Sequence, residues 1–236
     1  MYIYKNTPLM KKVLTLCLLS FSLFFSSCNT IKNLLTADDA TAAVKELLSF
    51  GTEYGGSLLG KKGAFSKQTL MESLLPGDLG KILSTMETLG LSSEINKFST
   101  TLSTAAEKTV EKSIPIFLGG IKNMKFNDAI GIVKNGGTSA TDFLRTSIGD
   151  TLRKAITPAM NNALQEYKIT SQWNDLIAPA KMFVGDKLNL DLGNLMSGLV
   201  ANMMFNKIAE REKTIRTKTE ARSTALLQRV FSNVLK

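Results

Sequence analysis

Apolar residues recur every three to four positions through most of the chain, whereas no stretch of similar length alternates between apolar and polar residues. The first such stripe follows Thr36, which can cap a helix, and predicts a helix from about residue 37 to 59. The longest stripe runs from Leu192 to Ile208. Because this spacing places apolar side chains on one face of a helix, the sequence predicts an all-α fold, a multi-helix bundle.

Glycine and polar residues predict where several helices end. A loop is predicted over residues 61–67, and a helix is predicted to begin at Pro76-Gly77 and to end at Gly90. Asp128 can cap a short helix that stops at Asn135-Gly136-Gly137, since asparagine and glycine both tolerate positive φ. Within the first helix, glycines at overlapping G-x-x-x-G spacings predict a thin contact face or a fraying helix end: Gly51, Gly55, Gly56 and Gly60.

Three prolines predict further boundaries, because proline lacks the N–H that a helix interior uses. A polar helix over residues 92–112 is expected to end before Pro115, which starts a new apolar segment. Thr157-Pro158 predicts a kink or the start of a new helix. Pro179 and residues 184–191 are expected to lie in a loop, and a last stripe, ending at Val234, predicts a C-terminal helix.

The first residues have the order of a secretory signal. Lys11 and Lys12 precede an apolar run from Val13 to Phe25, and small residues follow before Cys28. A helix of this run spans about 20 Å, short of the roughly 30 Å hydrocarbon core of a bilayer. The pattern therefore favours a cleaved lipoprotein signal peptide over a membrane span, with acyl chains on Cys28.

Cysteine usage favours the same interpretation. The only other cysteine, Cys17, lies in the apolar run and would leave with it, so the mature chain has no intramolecular disulfide. Acylation of Cys28 would remove a thiol that is a liability in an oxidising compartment, and two or more acyl chains anchor a protein stably. The predicted division is a signal peptide (1–27), a lipidated tether (28–36) and a single all-α domain (37–236).

The predicted location is the bacterial cell envelope. Asn29 follows the lipidated cysteine in place of the aspartate that is associated with retention in the inner membrane. The sequence therefore favours attachment to the outer membrane, with the domain facing the periplasm.

The chain is basic, with 29 Lys and Arg against 20 Asp and Glu and a net charge of +9. Much of the excess lies in residues 205–236, which could rest against anionic lipid head groups. A solvated helix face is the favoured interpretation, because the charges are mixed and Glu212 and Arg216 suit an i,i+4 pair. Nucleic acid is not an expected partner in this compartment.

Histidine is absent from the chain. This excludes Ser-His-Asp and Cys-His catalysis and histidine-liganded zinc. Because acylation would occupy the only thiol of the mature chain, cysteine metal sites are excluded as well. We therefore predict no metal and no cofactor.

Few residues are candidates for a binding or catalytic site. Asn135 and Gly136 could present backbone N–H groups to a phosphate, although a plain interhelical turn is the simpler interpretation because no phosphate-loop lysine follows. Trp173, the sole tryptophan, could anchor a ligand or pack in the core. Arg216 and Arg222 are candidate contacts for an anionic lipid or a partner protein. Acids considered for carboxylate catalysis lie near predicted helix starts, where capping is the simpler role: Asp128, Asp142, Asp150 and Asp175.

Short motifs spread over the chain carry a family resemblance. They are Pro115-Ile116-Phe117, Asp128-Ala129, Asn135-Gly136-Gly137 with Ala140-Thr141-Asp142-Phe143, Trp173-Asn174, Glu212-Lys213-Thr214-Ile215-Arg216 and Ala221-Arg222-Ser223-Thr224, with Leu227, Val230 and Phe231. From about residue 30 to the end, the chain resembles domain-of-unknown-function family 4197, helical bacterial proteins that often carry lipoprotein signals. The resemblance implies an all-helical envelope domain and implies no activity, cofactor or catalytic residue.

Together these features predict a membrane-anchored cell-envelope lipoprotein whose helical domain binds or organises a partner without catalysis. The expected partners are the membrane, through the acyl chains on Cys28, and an envelope protein or anionic lipid. Two alternatives stay open, a periplasmic carrier of a lipid or other apolar ligand and a carboxylate-dependent envelope hydrolase.

Overall fold

A computed structural model describes residues 35–74, 85–184 and 190–232, and within these ranges it contains helices and no strand. This confirms the all-α prediction. Residues 85–88 are helical, and Thr219–Ala221 form a 3₁₀ turn. The main helices are α1 (Ala37–Leu59), α2 (Lys67–Leu74), α3 (Ser92–Asn123), α4 (Ala129–Asn135), α5 (Ser139–Glu166), α6 (Ile169–Val184), α7 (Leu192–Thr217) and α8 (Ala225–Ser232).

Several predictions fall outside the described residues. These are the signal peptide, Cys28 with most of its tether, the helix start at Pro76-Gly77, residues 185–189 of a predicted loop, and Val234. Among the described helices, none combines the length and the apolar character that a membrane span requires.

The four longest described helices form a closed ring. Helix α1 packs against α3 and α7, and α5 packs against the same two helices. Shorter helices cover the ring: α4 lies on α1 and α5, α6 on α3 and α5, α2 on α3 and α7, and α8 on α1 and α7. Their apolar faces meet in one core, which includes Leu47, Val110, Leu144 and Met204.

Helix α1 has the predicted bounds. The Thr36 hydroxyl accepts a hydrogen bond from the Asp39 N–H at 3.0 Å, which caps the first turn, and Gly60 caps the last. The glycines of α1 lie where neighbouring helices approach closely. A Cβ atom on Gly51 would lie 2.9 Å from the Ile208 side chain, and one on Gly56 would overlap the Ile114 side chain. The thin contact face is therefore confirmed.

The predicted helix boundaries at Pro115 and Pro179 are wrong, and no new helix begins at Pro158. Pro115, Pro158 and Pro179 lie inside α3, α5 and α6, which continue through them. All three are exposed, and so are the residues four positions earlier, whose carbonyls lose their helical partner. Water can solvate those carbonyls, while apolar residues on the opposite faces remain buried in the core. Burial of the helix therefore outweighs the local cost of proline.

Candidate functional site

The turn between α4 and α5 has the predicted form. The Asp128 carboxylate caps α4 by accepting a hydrogen bond from the Gly131 N–H at 2.7 Å. After Asn135 ends the helix, Gly136 and Gly137 adopt φ values of 69° and 57°, which favour glycine. This geometry lets α5 begin at Ser139, next to the end of α4.

Glu212 of α7 caps the start of α5 from another helix. Its fully buried carboxylate accepts hydrogen bonds from the Ala140 N–H at 3.0 Å and from the Thr141 N–H at 2.8 Å. The Thr141 hydroxyl donates to the same carboxylate at 2.6 Å, whereas Thr138 makes no capping bond. Two of the free N–H groups at the start of α5 are thus occupied by a carboxylate of the protein itself.

Arg216 caps the end of α4 in the complementary way. Its guanidinium donates to the carbonyl oxygens of Ile132 and Val133 at 3.0 and 2.8 Å, and its Nε donates to Glu212 at 2.9 Å. It also lies 5.0 Å from the centre of the Phe231 ring. The carboxylate therefore meets the positive end of one helix dipole and the guanidinium meets the negative end of the other.

Arg222 repeats this role at the end of α7. Its Nε and Nη2 donate to the carbonyl oxygens of Ile215 and Arg216 at 2.9 and 2.8 Å. Its Nη1 donates to the Ser232 hydroxyl of α8 at 3.1 Å. We call Glu212, Arg216 and Arg222 the capping cluster, because all three satisfy backbone groups at helix ends.

The capping cluster corrects the interpretation of the basic C-terminal region. The Glu212–Arg216 pair forms as predicted, but it is buried, with Glu212 at 0% and Arg216 at 5% exposure, so it does not lie on a solvated face. Arg222 is also buried, at 3%. Two further candidate contact residues lie at the adjoining turn between α4 and α5. Asn135 is exposed, so a partner can reach it directly, and Gly136 is half-buried.

Trp173 lies on α6, apart from the capping cluster. It is buried and its ring centre is 5.3 Å from that of Phe98, so packing is one of its roles. It also borders an open cleft of about 830 Å³, whose polar lining includes Asn161, Gln165 and Asn174. The structure therefore brings four predicted contact residues together where α4, α5 and α7 meet, and places Trp173 beside a separate cleft. The four are Asn135, Gly136, Arg216 and Arg222.

The aspartates considered for catalysis do not form one site. Asp128 caps α4, and Asp142 accepts a hydrogen bond from the Thr138 hydroxyl at 2.8 Å. Asp150 and Asp175 are exposed in the interiors of α5 and α6, so their predicted positions near helix starts are wrong. Within the part of the chain that the structure describes, no three His, Cys, Asp or Glu side chains come together as metal ligands.

Sequence reasoning missed the buried carboxylate of Glu107. It accepts hydrogen bonds from the Gly63 N–H and the Ser103 hydroxyl, both at 2.7 Å, and so ties the loop after α1 to α3. It borders a second cleft, of about 400 Å³, with Lys62 and Lys67. The Ser-x-x-x-Glu spacing was the available signal, but it does not show that the pair faces inward.

An exposed ion pair contrasts with these buried groups. Lys108 Nζ lies 2.6 Å from the Glu166 carboxylate, and both side chains are about half exposed, at 41% and 51%. The hydrogen bond to Glu166 raises the pKa of Lys108 above its usual value. Because water surrounds the pair, it contributes little to stability.

Comparison with known proteins supports the family resemblance. A family model described as a protein of unknown function (DUF4197) matches residues 34–232, as the resemblance of the short motifs implied. No curated protein and no solved structure gives a match to the chain.

Proposed function

The chain belongs to the DUF4197 family, and we propose that it is a lipoprotein held to the bacterial cell envelope by acyl chains on Cys28. Its helical domain binds an envelope partner and does not catalyse a reaction. The outer membrane, with the domain facing the periplasm, is the proposed location.

The anchor is supported by the N-terminal sequence. A basic segment, an apolar run too short to cross a bilayer and small residues precede Cys28 in the order that lipoprotein processing requires. A tether of a few residues separates Cys28 from α1, which begins at Ala37. Such a tether would keep the domain close to the membrane surface.

The observation that favours a role without catalysis is how the domain uses its buried polar groups. Among the described residues, every fully buried side-chain nitrogen or oxygen has a hydrogen-bond partner. The buried charges of the capping cluster are engaged at helix ends, and the aspartates are dispersed. A catalytic site needs a nucleophile, a base and a stabilising donor in one cleft. Ser103 and Glu107 do meet in the second cleft, but Ser103 also donates to the Phe65 carbonyl and Glu107 accepts from the Gly63 N–H, so the pair holds the loop after α1 in place.

The carrier alternative has no comparable support. The apolar side chains of the described helices fill one core. The cleft beside Trp173 is also lined by Leu164, Leu190 and Leu192, but it is open and mixes them with amides, hydroxyls and charged groups. A binding site for an apolar ligand is typically lined by apolar and aromatic side chains. We therefore propose the partner-binding role alone.

The anchor is tested by Cys28→Ala with Cys17→Ala as the matched control. Both variants are expressed in cells that incorporate labelled palmitate, and the membrane and soluble fractions are separated. Cys17→Ala should be labelled and membrane-bound like the wild type, whereas Cys28→Ala should be unlabelled and either unprocessed or released. Labelling and attachment that persist in Cys28→Ala would contradict the anchor.

The binding role is tested by photocrosslinking in living cells. A photoreactive amino acid is placed at exposed positions beside the two candidate surfaces, Asn135 and Asn174, and at Ser57 on α1 as a control. We expect a reproducible product from at least one of the first two positions and none from Ser57. Turnover of a cell-wall or lipid substrate by the purified full chain, abolished by Glu107→Gln, would instead establish an enzyme.

A further inference from the structure

Polar residues and glycines recur at every fourth position where α5 faces α7. Arg145, Gly149 and Arg153 follow this spacing on α5, and Asn194, Gly198, Asn202 and Asn206 follow it on α7. The two rows meet along an open groove of about 400 Å³, bordered by both arginines and both glycines. We call this surface the arginine groove.

Neutral side chains hold Arg145 in place, so its positive charge is not offset by them. Its Nη1 donates to the Asn202 side-chain oxygen at 3.3 Å and its Nη2 donates to that of Asn206 at 3.2 Å. The guanidinium carbon lies 4.7 Å from the centre of the buried Phe205 ring. These partners are neutral, and Arg145 makes no salt bridge to a described residue. The planar group is therefore oriented in advance and retains donors for an anion.

Arg153 supplies a second cation at the other end of the groove. Its Nη1 donates to the Asn194 side chain, and its Nη2 lies 3.7 Å from Asp150, a carboxylate that is 88% exposed. The hydration of Asp150 makes this ion pair weak. Since the two arginines are two helical turns apart, about 12 Å along α5, a ligand that engages both must extend along the groove.

The glycines between the arginines are not required by packing. A Cβ atom on Gly149 would lie 3.7 Å from Phe205, and one on Gly198 would lie 3.8 Å from Arg153, which are ordinary contact distances. Glycine destabilises a helix interior relative to alanine. What the two glycines provide is open space on the floor of the groove, directly between the two cations.

We infer that the arginine groove binds a phosphate ester, with the phosphoryl group at Arg145 and the remainder over Gly149 and Gly198 toward Arg153. The arginine fork matches phosphate oxygens. Ser147 and Thr151 border the groove together with the hydrated Asp150. Donors from their hydroxyls would suit a phosphate, which has more oxygens than a carboxylate. This inference goes beyond the proposed binding role, because the groove is a third surface, separate from those at Asn135 and Asn174.

The inference is tested by isothermal titration of the purified full chain in a non-ionic detergent. The probes are inorganic phosphate, glycerol 3-phosphate and soluble dihexanoylphosphatidylglycerol, with acetate at equal ionic strength for comparison. We expect the phosphate esters to bind at least about tenfold more tightly than acetate, and Arg145→Ala to weaken them by about tenfold or more. Arg145→Lys, which keeps the charge but not the fork, should lose most of the same affinity.

Arg211→Ala is the matched control, because it removes an arginine on α7 that lies 5.6 Å from the Tyr54 ring instead of in the groove. It should leave phosphate binding unchanged. The double variant Gly149→Ala, Gly198→Ala should remain folded and should weaken the esters several-fold by filling the groove.

The titrations answer two questions: whether the groove binds phosphate esters, and whether the ligand is a lipid head group or a soluble ester. Tighter binding of dihexanoylphosphatidylglycerol identifies a lipid head group, and tighter binding of glycerol 3-phosphate identifies a soluble ester. Equal binding of acetate, an equal loss in Arg211→Ala, or full binding by folded Arg145→Ala would each overturn the inference. The Cys28 and crosslinking experiments do not depend on Arg145, so their failure is distinguishable from failure here.

Discussion

The capping cluster and the arginine groove use the same side chain in opposite ways. In the cluster, Arg216 and Arg222 are buried and donate to backbone carbonyls at helix ends, with Glu212 as a charged partner. In the groove, Arg145 is only partly buried and is held by neutral amides. The role of an arginine therefore depends on whether internal partners already satisfy its donors and its charge. The cluster is internally complete, whereas the groove keeps a charge available.

The largest expected effect comes from breaking the cluster. Glu212→Ala would leave Arg216 buried without its charged partner and would uncap the start of α5, so the free energy of unfolding should fall by about 3–5 kcal/mol. Urea denaturation measures this change. Glu210→Ala, which removes an exposed carboxylate on the same helix, should cost less than about 1 kcal/mol. Equal losses in the two variants would show that the cluster does not stabilise the fold.

A smaller difference in stability is expected when arginine is replaced by lysine in the capping cluster and in the arginine groove. In Arg216→Lys a single ammonium replaces a fork that caps two carbonyls, and we expect a loss of about 2 kcal/mol in the free energy of unfolding. In Arg145→Lys the loss should be within about 0.5 kcal/mol, as for an ordinary surface change. A loss in Arg145→Lys as large as in Arg216→Lys would make the groove a second structural cluster.

The smallest effect has the opposite sign. Gly149→Ala and Gly198→Ala should each raise the free energy of unfolding by about 0.5–1 kcal/mol, because alanine favours a helix and the added Cβ meets no close atom. Gly51→Ala is the contrasting control, since its Cβ would lie 3.1 Å from the Ile208 backbone. Thermal denaturation should show a higher midpoint for the first two variants and a lower one for the third.

Local signals predicted helix ends well where the cap lies beside the helix in sequence. Thr36 at the start of α1, Asp128 at the start of α4, and Gly136 and Gly137 after α4 act through groups within a few residues. The prolines misled the prediction because their cost depends on exposure. A proline at the interface would leave a buried carbonyl without a partner, whereas Pro115, Pro158 and Pro179 face water.

The candidate surfaces were less predictable than the helices. Spacing alone indicates the Glu212–Arg216 pair but not its burial, because the predicted apolar stripe of α7 ends at Ile208 whereas the helix continues to Thr217. Arg145, Gly149 and Arg153 also share a spacing of four, yet their significance depends on Asn202 and Asn206, about 60 residues away in sequence.

The sequence by itself determined the helical class, the bounds of α1 and α4 and the family, because periodicity, nearby caps and short motifs are properties of neighbouring residues. Only the tertiary structure decided which charged side chains are buried at helix ends and which can reach a ligand. Glu212 meets Ala140 and Thr141 across some 70 residues, and Arg145 meets Asn202 across 57. Such pairs form because helix packing excludes water between distant segments, and a linear sequence does not show where that happens.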